Sequence, residues 1–408
     1  MLIIRIIYYI LTFLTVFYAL YFVLTGLPAF KKSKTRIRKF SDKTKFAVII
    51  CARNEAYVIS SLVKSLQEQH YNKDLYDIYV LPNNCTDNTR EKALEAGAKI
   101  IDINVPVKCK GDVLKYAFSY LKDTDYDAYL VFDADNVVHP DFMHYMNNVY
   151  QSGYPVAQGR KDAKNMSDNW VSCGYSLFYS IQNLFFNKAR TNIKHSATIN
   201  GTGFMVSKEF VERIKFDPKT VTEDIELSIL TILNNERVVY VDEAITYDEQ
   251  PTGFKDSLKQ RKRWSVGIMQ CCKLYNKKLL KKGFKDCDIS ALDKVIFNIA
   301  PYNQVLSLIP FVLLFILNVN SPDDAFILAV SYDYTGLILG YVLSVLLSIY
   351  TLLYYNRDVN RNTVGIVLFI FFVLSWIPIN IECLLSKKEF KWEPIKHNRN
   401  VELSSLIK

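Results

Sequence analysis

The chain opens on an apolar stretch, LIIRIIYYILTFLTVFYALYFVLTGLPAF (residues 2–30), long enough to cross a bilayer as a helix. Its apolar core is longer than that of a cleaved signal peptide, and no small-residue cleavage site follows, so a retained helix is expected. From Phe46 the pattern changes. Short apolar runs, FAVIICA, DIYVLP, AYLVF and RVVYV, alternate with amphipathic segments such as YVISSLVKSLQEQ and TREKALEAGA. β-rich runs of this length alternating with helical patterns predict an α/β domain over 46–255 with a largely parallel sheet. Ligands of such sheets bind beyond the carboxyl ends of the strands, where ARNE, NNCTD and DAD all fall.

An amphipathic stretch follows at 256–298, and apolar segments return at about 300–319, 326–355 and 363–386, within a membrane region spanning 299–386. Pro310 and Pro378 mark possible kinks. Basic residues gather in KKSKTRIRKFSDKTK (31–45) and KKEFKWEPIKHNR (387–399), each beside an apolar segment. Basic flanks mark the cytoplasmic side, so the α/β domain and the tail (387–408) are both expected there, in a multi-pass protein of the plasma membrane. Three full C-terminal spans would place the tail outside. One segment, with the last and its Pro378 the first candidate, is therefore expected to be re-entrant or interfacial.

The net charge of +9 raises the question of nucleic acid. The α/β domain carries no basic stripe, so a nucleic-acid enzyme is not indicated. Eight cysteines without a CxxC pair argue against a disulfide scaffold or a zinc module and favour a reducing compartment. A transporter with a vestigial soluble domain would need polar residues along its spans, which hold few charges beyond Arg5 and Glu382.

Candidate chemistry centres on carboxylates. The chain has D-x-D at 123/125, 125/127, 133/135 and 286/288, but only Asp133 and Asp135 follow a strand-like run. Hard oxygen ligands at a strand's end suit Mg²⁺ or Mn²⁺, and an N-cap role for Asp135 is the plainer alternative. Glu223 and Asp224 open a helix-like run, as caps or as a base able to take a proton from an attacking hydroxyl. In QRKRW (260–264), Gln260, Arg263 and Trp264 share one helix face. Arg can clasp a diphosphate and Trp can floor a sugar ring, whereas a basic helix resting on lipid headgroups would use the same residues as anchors.

ARNE, NNCTDNT, KCKGD, DADN, NGTGF, TED and QRKRW in this order resemble the membrane-bound members of glycosyltransferase family 2, the group with hyaluronan, cellulose and poly-N-acetylglucosamine synthases. The resemblance covers nearly the whole chain, including a Trp-bearing tail, KWEPIKH. It implies a GT-A (Rossmann-like) catalytic domain between N- and C-terminal transmembrane helices, and transfer with inversion. It places Ala52, Arg53, Asn54 and Glu55 beside the nucleoside, with Cys51 where a Pro is usual. Asn83 stands where many relatives have an Asp that accepts a bond from uracil, and an Asn carbonyl can still accept it. Lys110 is implied near the diphosphate, with Gly111 allowing close backbone approach. Asp87 reads as the cap of TREKALEAGA.

The resemblance further makes Asp135 the direct ligand of Mg²⁺ or Mn²⁺, with Asp133 and Ala134 beside metal and donor. It makes Asp224 the base and gives Glu223 a supporting contact. Gly201, Thr202 and Gly203 become a backbone wall near the acceptor, and Gln260 and Trp264 touch the acceptor sugar while Arg263 holds the leaving UDP. The expected function is extension of a polysaccharide from a UDP-sugar, and the alternative is glycosylation of a lipid. Membrane lipids are partners in both cases.

Overall fold

The computed structural model describes residues 2–320, 324–386, 401 and 403–406, the side chains of 318–334 excepted. The basic tail at 387–399, with KWEPIKH, and residues 321–323 lie outside the described residues.

Among the described residues, eight strands form one sheet in the order β3-β2-β1-β4-β7-β6-β8-β5. They are β1 (Phe46–Ala52), β2 (Tyr76–Pro82), β3 (Lys99–Ile100), β4 (Ala128–Asp133), β5 (Val137–Val138), β6 (Val156–Ala163), β7 (Phe204–Ser207) and β8 (Val238–Asp248). The four apolar runs all become strands. They read as continuous hydrophobic runs because both faces are covered. In β1, Phe46, Val48, Ile50 and Ala52 enter one core while Ala47 and Ile49 enter the other. β4 divides likewise, with Leu130 and Phe132 on the first side and Tyr129 and Val131 on the second.

The sheet is mixed, which corrects the largely parallel expectation. The half β3-β2-β1-β4 is parallel, whereas β7 runs antiparallel to both β4 and β6, and β5 runs antiparallel to β8. The physical reason lies in Gly201-Thr202-Gly203. Positive φ at both glycines (+81° and +63°) lets the chain turn sharply into β7 alongside β4, with the Gly203 N–H bonded to Val131 O at 2.9 Å. Strand register does the rest for the site: Cys51 lies opposite Asp133, and Ala52 opposite Pro82, so the ends of β1, β2 and β4 share one edge.

Among the described residues, four helical segments are long and apolar enough to cross a membrane, Leu2–Phe30, Ala300–Leu317, Thr335–Tyr354 and Asn360–Leu385. The last is the most embedded of them. It consists of two helices, Thr363–Leu374 and Trp376–Leu385, and its first half packs on Trp170–Ile181 of the α/β domain, with Gly365 against Cys173 and Phe372 against Gly174.

The N-terminal helix is locked to the domain by a buried ion pair. Arg190 meets Asp293 at 3.0 Å, donates to Thr25 Oγ1 at 3.0 Å and covers the Phe186 ring, while the Tyr21 hydroxyl donates to Asp293 at 2.6 Å. The basic segment 31–45 is also held: Lys34 N–H bonds Asn192 O at 2.8 Å and Phe40 N–H bonds Asn148 Oδ1 at 2.7 Å. A planar guanidinium serves three acceptors here that an ammonium cannot reach together. Arg190→Lys should therefore cost about 1–2 kcal/mol of stability. Thermal unfolding in detergent checks this, and an unchanged midpoint would show that the fork is dispensable.

Candidate active site

At the shared strand edge, β4 ends in Asp133 and a tight turn carries Asp135. The Asp133 N–H donates to Thr202 Oγ1 at 3.0 Å, and the Thr202 hydroxyl donates to Asn136 Oδ1, so the D-x-D turn and the glycine wall are one hydrogen-bonded unit. Asp135 accepts from Asn136 Nδ2 at 3.1 Å and from the Glu249 N–H at 3.4 Å.

Lys110 begins the helix Lys110–Tyr120 and reaches the same point. Its ammonium pairs with Asp133 and donates to Gly201 O at 2.6 Å. Burial opposes its charge, but Asp133 and Glu223 more than offset that and hold its pKa above the usual lysine range. Burial likewise opposes ionisation of Asp133, and Lys110, Lys161 and Arg263 overcome it, leaving its pKa below the carboxylate norm. Gly111 has a packing role. A Cβ there would lie 2.8 Å from Pro218 and 3.2 Å from the Glu223 Cβ, so the glycine packs this helix against the TED segment.

Thr222 is the N-cap of Glu223–Leu233, which puts both acids in its first turn. Asp224 Oδ1 accepts from the Ile225 N–H at 2.8 Å, and Oδ2 faces Gly201, 3.6 Å from where a Cβ would stand. Burial raises the pKa of Asp224, while Ile225 N–H, Lys110, Arg263 and Lys294 pull the other way. Glu223 is pushed up to about 7, by burial and then by the Asp224 charge. The third acid of the run, Glu226, is fully buried and accepts the N–H groups of Lys219 and Thr220, shaping the loop before the helix.

QRKRW sits on the helix Phe254–Lys285, whose Gly267 meets Thr222, so the acids and the Arg lean on one another. Arg263 is half-buried and close enough to Asp133, Glu223 and Asp224 to lower all three pKa values. Trp264 is half-buried too, edge-on to Tyr175 at 5.9 Å and stacked on Trp376 at 6.5 Å. Gln260 lies one turn earlier, its buried Oε1 without a hydrogen-bond partner among the described residues.

Beyond the end of β1, Asn54 adopts φ +59° and its Oδ1 accepts the Thr86 N–H at 2.7 Å, which joins the ARNE turn to NNCTD. Asn83 Nδ2 donates to Ala52 O at 2.9 Å. A carbonyl needs a donor opposite it, so the acceptor oxygen of Asn83 is directed away. The Glu55 N–H bonds Thr89 Oγ1 at 2.8 Å, while Ala52 and Arg53 sit at the end of β1. Asp87 is not the helix cap: Asn88 holds that position, and Asp87 instead accepts the Ala56 N–H at 3.2 Å and the Thr89 N–H at 3.1 Å.

The structure thus brings the β4 carboxylates, Lys110, the glycine wall, Glu223, Asp224 and Arg263 into one cluster, and sets Trp264 beside a membrane-segment aromatic. It adds residues that sequence reasoning missed. Arg261, inside QRKRW, is fully buried and donates to Phe372 O at 2.9 Å and Ser375 Oγ at 2.7 Å. Lys161 pairs with Asp248 at 2.9 Å beside the D-x-D turn, and burial raises Asp248 to about 6. A lysine in the otherwise strand-like run VAQGRKDA was the signal for the latter.

A family model described as glycosyltransferase-like family 2 matches residues 44–267. Similar proteins include the probable glycosyltransferase YdaM of Bacillus subtilis, 27% identical over 237 residues, 55% of this chain and 55% of YdaM. Beta-monoglucosyldiacylglycerol synthase of Nostoc sp. is 23% identical over 229 residues, 55% of this chain and 49% of that one. The chain thus spans about half the length of the curated relatives it matches. Among solved structures, the mannosyltransferase PcManGT of Pyrobaculum calidifontis, in complex with GDP-Man and Mn²⁺, superposes with a TM-score of 0.65 at 14% identity, covering 94% of this chain and 100% of that one. The fold is accordingly the Rossmann-like GT-A fold with apolar helices at both ends. With the family model covering more than half of the sequence and every motif of the cluster, the chain belongs to the glycosyltransferase-like family 2.

Proposed function

We propose that this protein transfers a sugar from a UDP-sugar, with inversion, to a lipid acceptor presented by the membrane. The observation that carries the acceptor side is the continuity of site and membrane segment: Trp264 stacks on Trp376, and Arg261 ties the same helix to Phe372 and Ser375. An acceptor resting on Trp264 therefore enters along an apolar wall. The Nostoc relative is named for a glycolipid product, which supports this over the polysaccharide expected from sequence.

In this proposal Asn83 Oδ1 accepts from the uracil ring, and Lys110 and Arg263 hold the diphosphate. Asp224, ionised, receives the acceptor proton as the hydroxyl attacks the anomeric carbon from the face opposite UDP. Glu223 orients it. The hard carboxylate oxygens of Asp133 and Asp135, with no group of three or more such side chains placed to enclose a metal among the described residues, suit an ion that keeps water and phosphate ligands, as Mg²⁺ and Mn²⁺ do. Asp135, with Asp133 beside it, would hold that ion, which when bound neutralises the diphosphate. Gln260, Gly201, Thr202 and Gly203 line the acceptor side.

Purified protein in nanodiscs, offered UDP- and GDP-sugars with each metal and diacylglycerol, ceramide or polyprenyl phosphate, tests this through released nucleotide and product mass. A lipid bearing one or a few sugars is expected. Growth to a polymer would replace the acceptor assignment, and transfer from GDP-sugars alone would replace the donor assignment.

For orientation we propose that the α/β domain and tail face the cytoplasm, on the basic flanks and on Leu403 packing against Val137 and Tyr247 of the domain. A cysteine placed at residue 404 should resist an impermeant thiol reagent in intact cells. Labelling there would reverse the topology.

A further inference from the structure

A buried lysine that the proposed reaction does not use stands behind the glycine wall. Lys294, on the helix Ile289–Asn298, is 3% exposed and forms no ion pair among the described residues. Its ammonium donates to Thr198 Oγ1 and lies over the Phe297 ring, 4.4 Å from the centroid. One hydroxyl and one ring are sparse support for a buried cation, which is costly unless another negative group shares its field. Burial pushes its pKa down to about 8, opposed by Cys271, Asp293 and Asp224, with Arg190 adding to the depression.

Thr198 is no incidental partner. Its N–H donates to Asn187 Oδ1 at 2.9 Å, and its carbonyl accepts from Asn187 Nδ2 at 3.3 Å. The next N–H, from Ile199, donates to Ser228 Oγ at 2.9 Å, and that hydroxyl donates to Asp224 O at 2.9 Å. Three residues after Thr198 comes Gly201, which Asp224 Oδ2 faces. Lys294 is therefore linked to the base from the rear, while Lys110, Arg263 and Glu223 are the charged groups that bear on Asp224 from the donor-side cluster.

We infer that Lys294 is a positioning residue for the transfer reaction: through Thr198 it fixes the loop leading to Gly201, and its positive charge favours the ionised form of Asp224. This rests on the reading of Asp224 as the base. A nearby cation lowers a carboxylate pKa, so removing it raises that pKa. Because turnover needs ionised Asp224, the acid limb of the kcat/KM profile then moves to higher pH. The loss is confined to low pH and fades as pH rises.

The test uses full-length protein in nanodiscs. Lys294→Met and Lys294→Gln should shift the acid limb upward by a few tenths of a pH unit, roughly a twofold loss on its acidic side, with Lys294→Arg returning the limb toward wild type. Lys294→Gln keeps a donor for Thr198, so it decides the matter if the Met variant does not fold. UDP binding serves as the fold check. An unshifted limb in Lys294→Gln, or an equal loss at every pH, would overturn the inference. Failure of the base assignment looks different: Asp224→Asn itself then retains turnover, whatever the profile of the Lys294 variants.

Discussion

Asp224→Asn should lower turnover by about 10²–10⁴-fold, the usual contribution of a positioned base, while UDP binding changes little. The structure makes the substitution a clean one. Asp224 Oδ1 accepts the Ile225 N–H inside the first helical turn, and an Asn carbonyl accepts the same bond. Asn caps and opens helices about as well as Asp, so the fold should survive. What the variant cannot do is take a proton at Oδ2, the atom that faces Gly201. Glu223→Gln should be milder, because Glu223, raised to about 7, is largely a neighbour that shapes the field of Asp224. Single-turnover rates in nanodiscs, measured beside UDP affinity, check both. Near-normal turnover in Asp224→Asn would reduce TED to a helix start and move the base elsewhere.

The fold was legible where hydrophobic runs were long and two-sided. FAVIICA and AYLVF specify strands whose side chains divide between two cores, and no competing pattern intervenes. The antiparallel half was not legible. β7 is only four residues long, and its direction is set by positive φ at Gly201 and Gly203, which periodicity does not reveal. The motif residues were visible as types, yet their partners were not. That Gly111 packs on Pro218, or that Lys110 pairs with Asp133, depends on contacts between segments far apart in sequence.

Charged residues in apolar settings were the signal left unused. Arg261, inside QRKRW, is buried against Phe372 and Trp376. Lys294 follows Ala291 by three residues and precedes Asn298 by four, and all three are buried on one helix face. A lysine on a helix's buried face needs a partner, and that requirement could have been stated from sequence even though Thr198 could not have been named.

Asp135→Asn should reduce activity by about 10²–10³-fold, the range for removing one preorganised electrostatic contact, and should do so mainly by weakening donor binding. The two carboxylates of the D-x-D turn differ in what engages them. Asp133 is engaged by the Lys110 ammonium, so Asp133→Asn would leave a buried cation with Gly201 O and the field of Glu223 and would disturb the fold as well as the chemistry. Asp135 accepts from Asn136 Nδ2 at 3.1 Å and from the Glu249 N–H at 3.4 Å, and an Asn oxygen can accept either bond. Its substitution removes the charge while keeping an acceptor oxygen for both. If Asp135 holds the divalent ion, calorimetric UDP binding in wild type should depend on Mn²⁺ or Mg²⁺ and that dependence should vanish in Asp135→Asn. The variant should unfold at the wild-type temperature, whereas Asp133→Asn should unfold earlier. Full wild-type activity in excess EDTA would remove the metal from the site and leave Lys110 and Arg263 to neutralise the diphosphate alone.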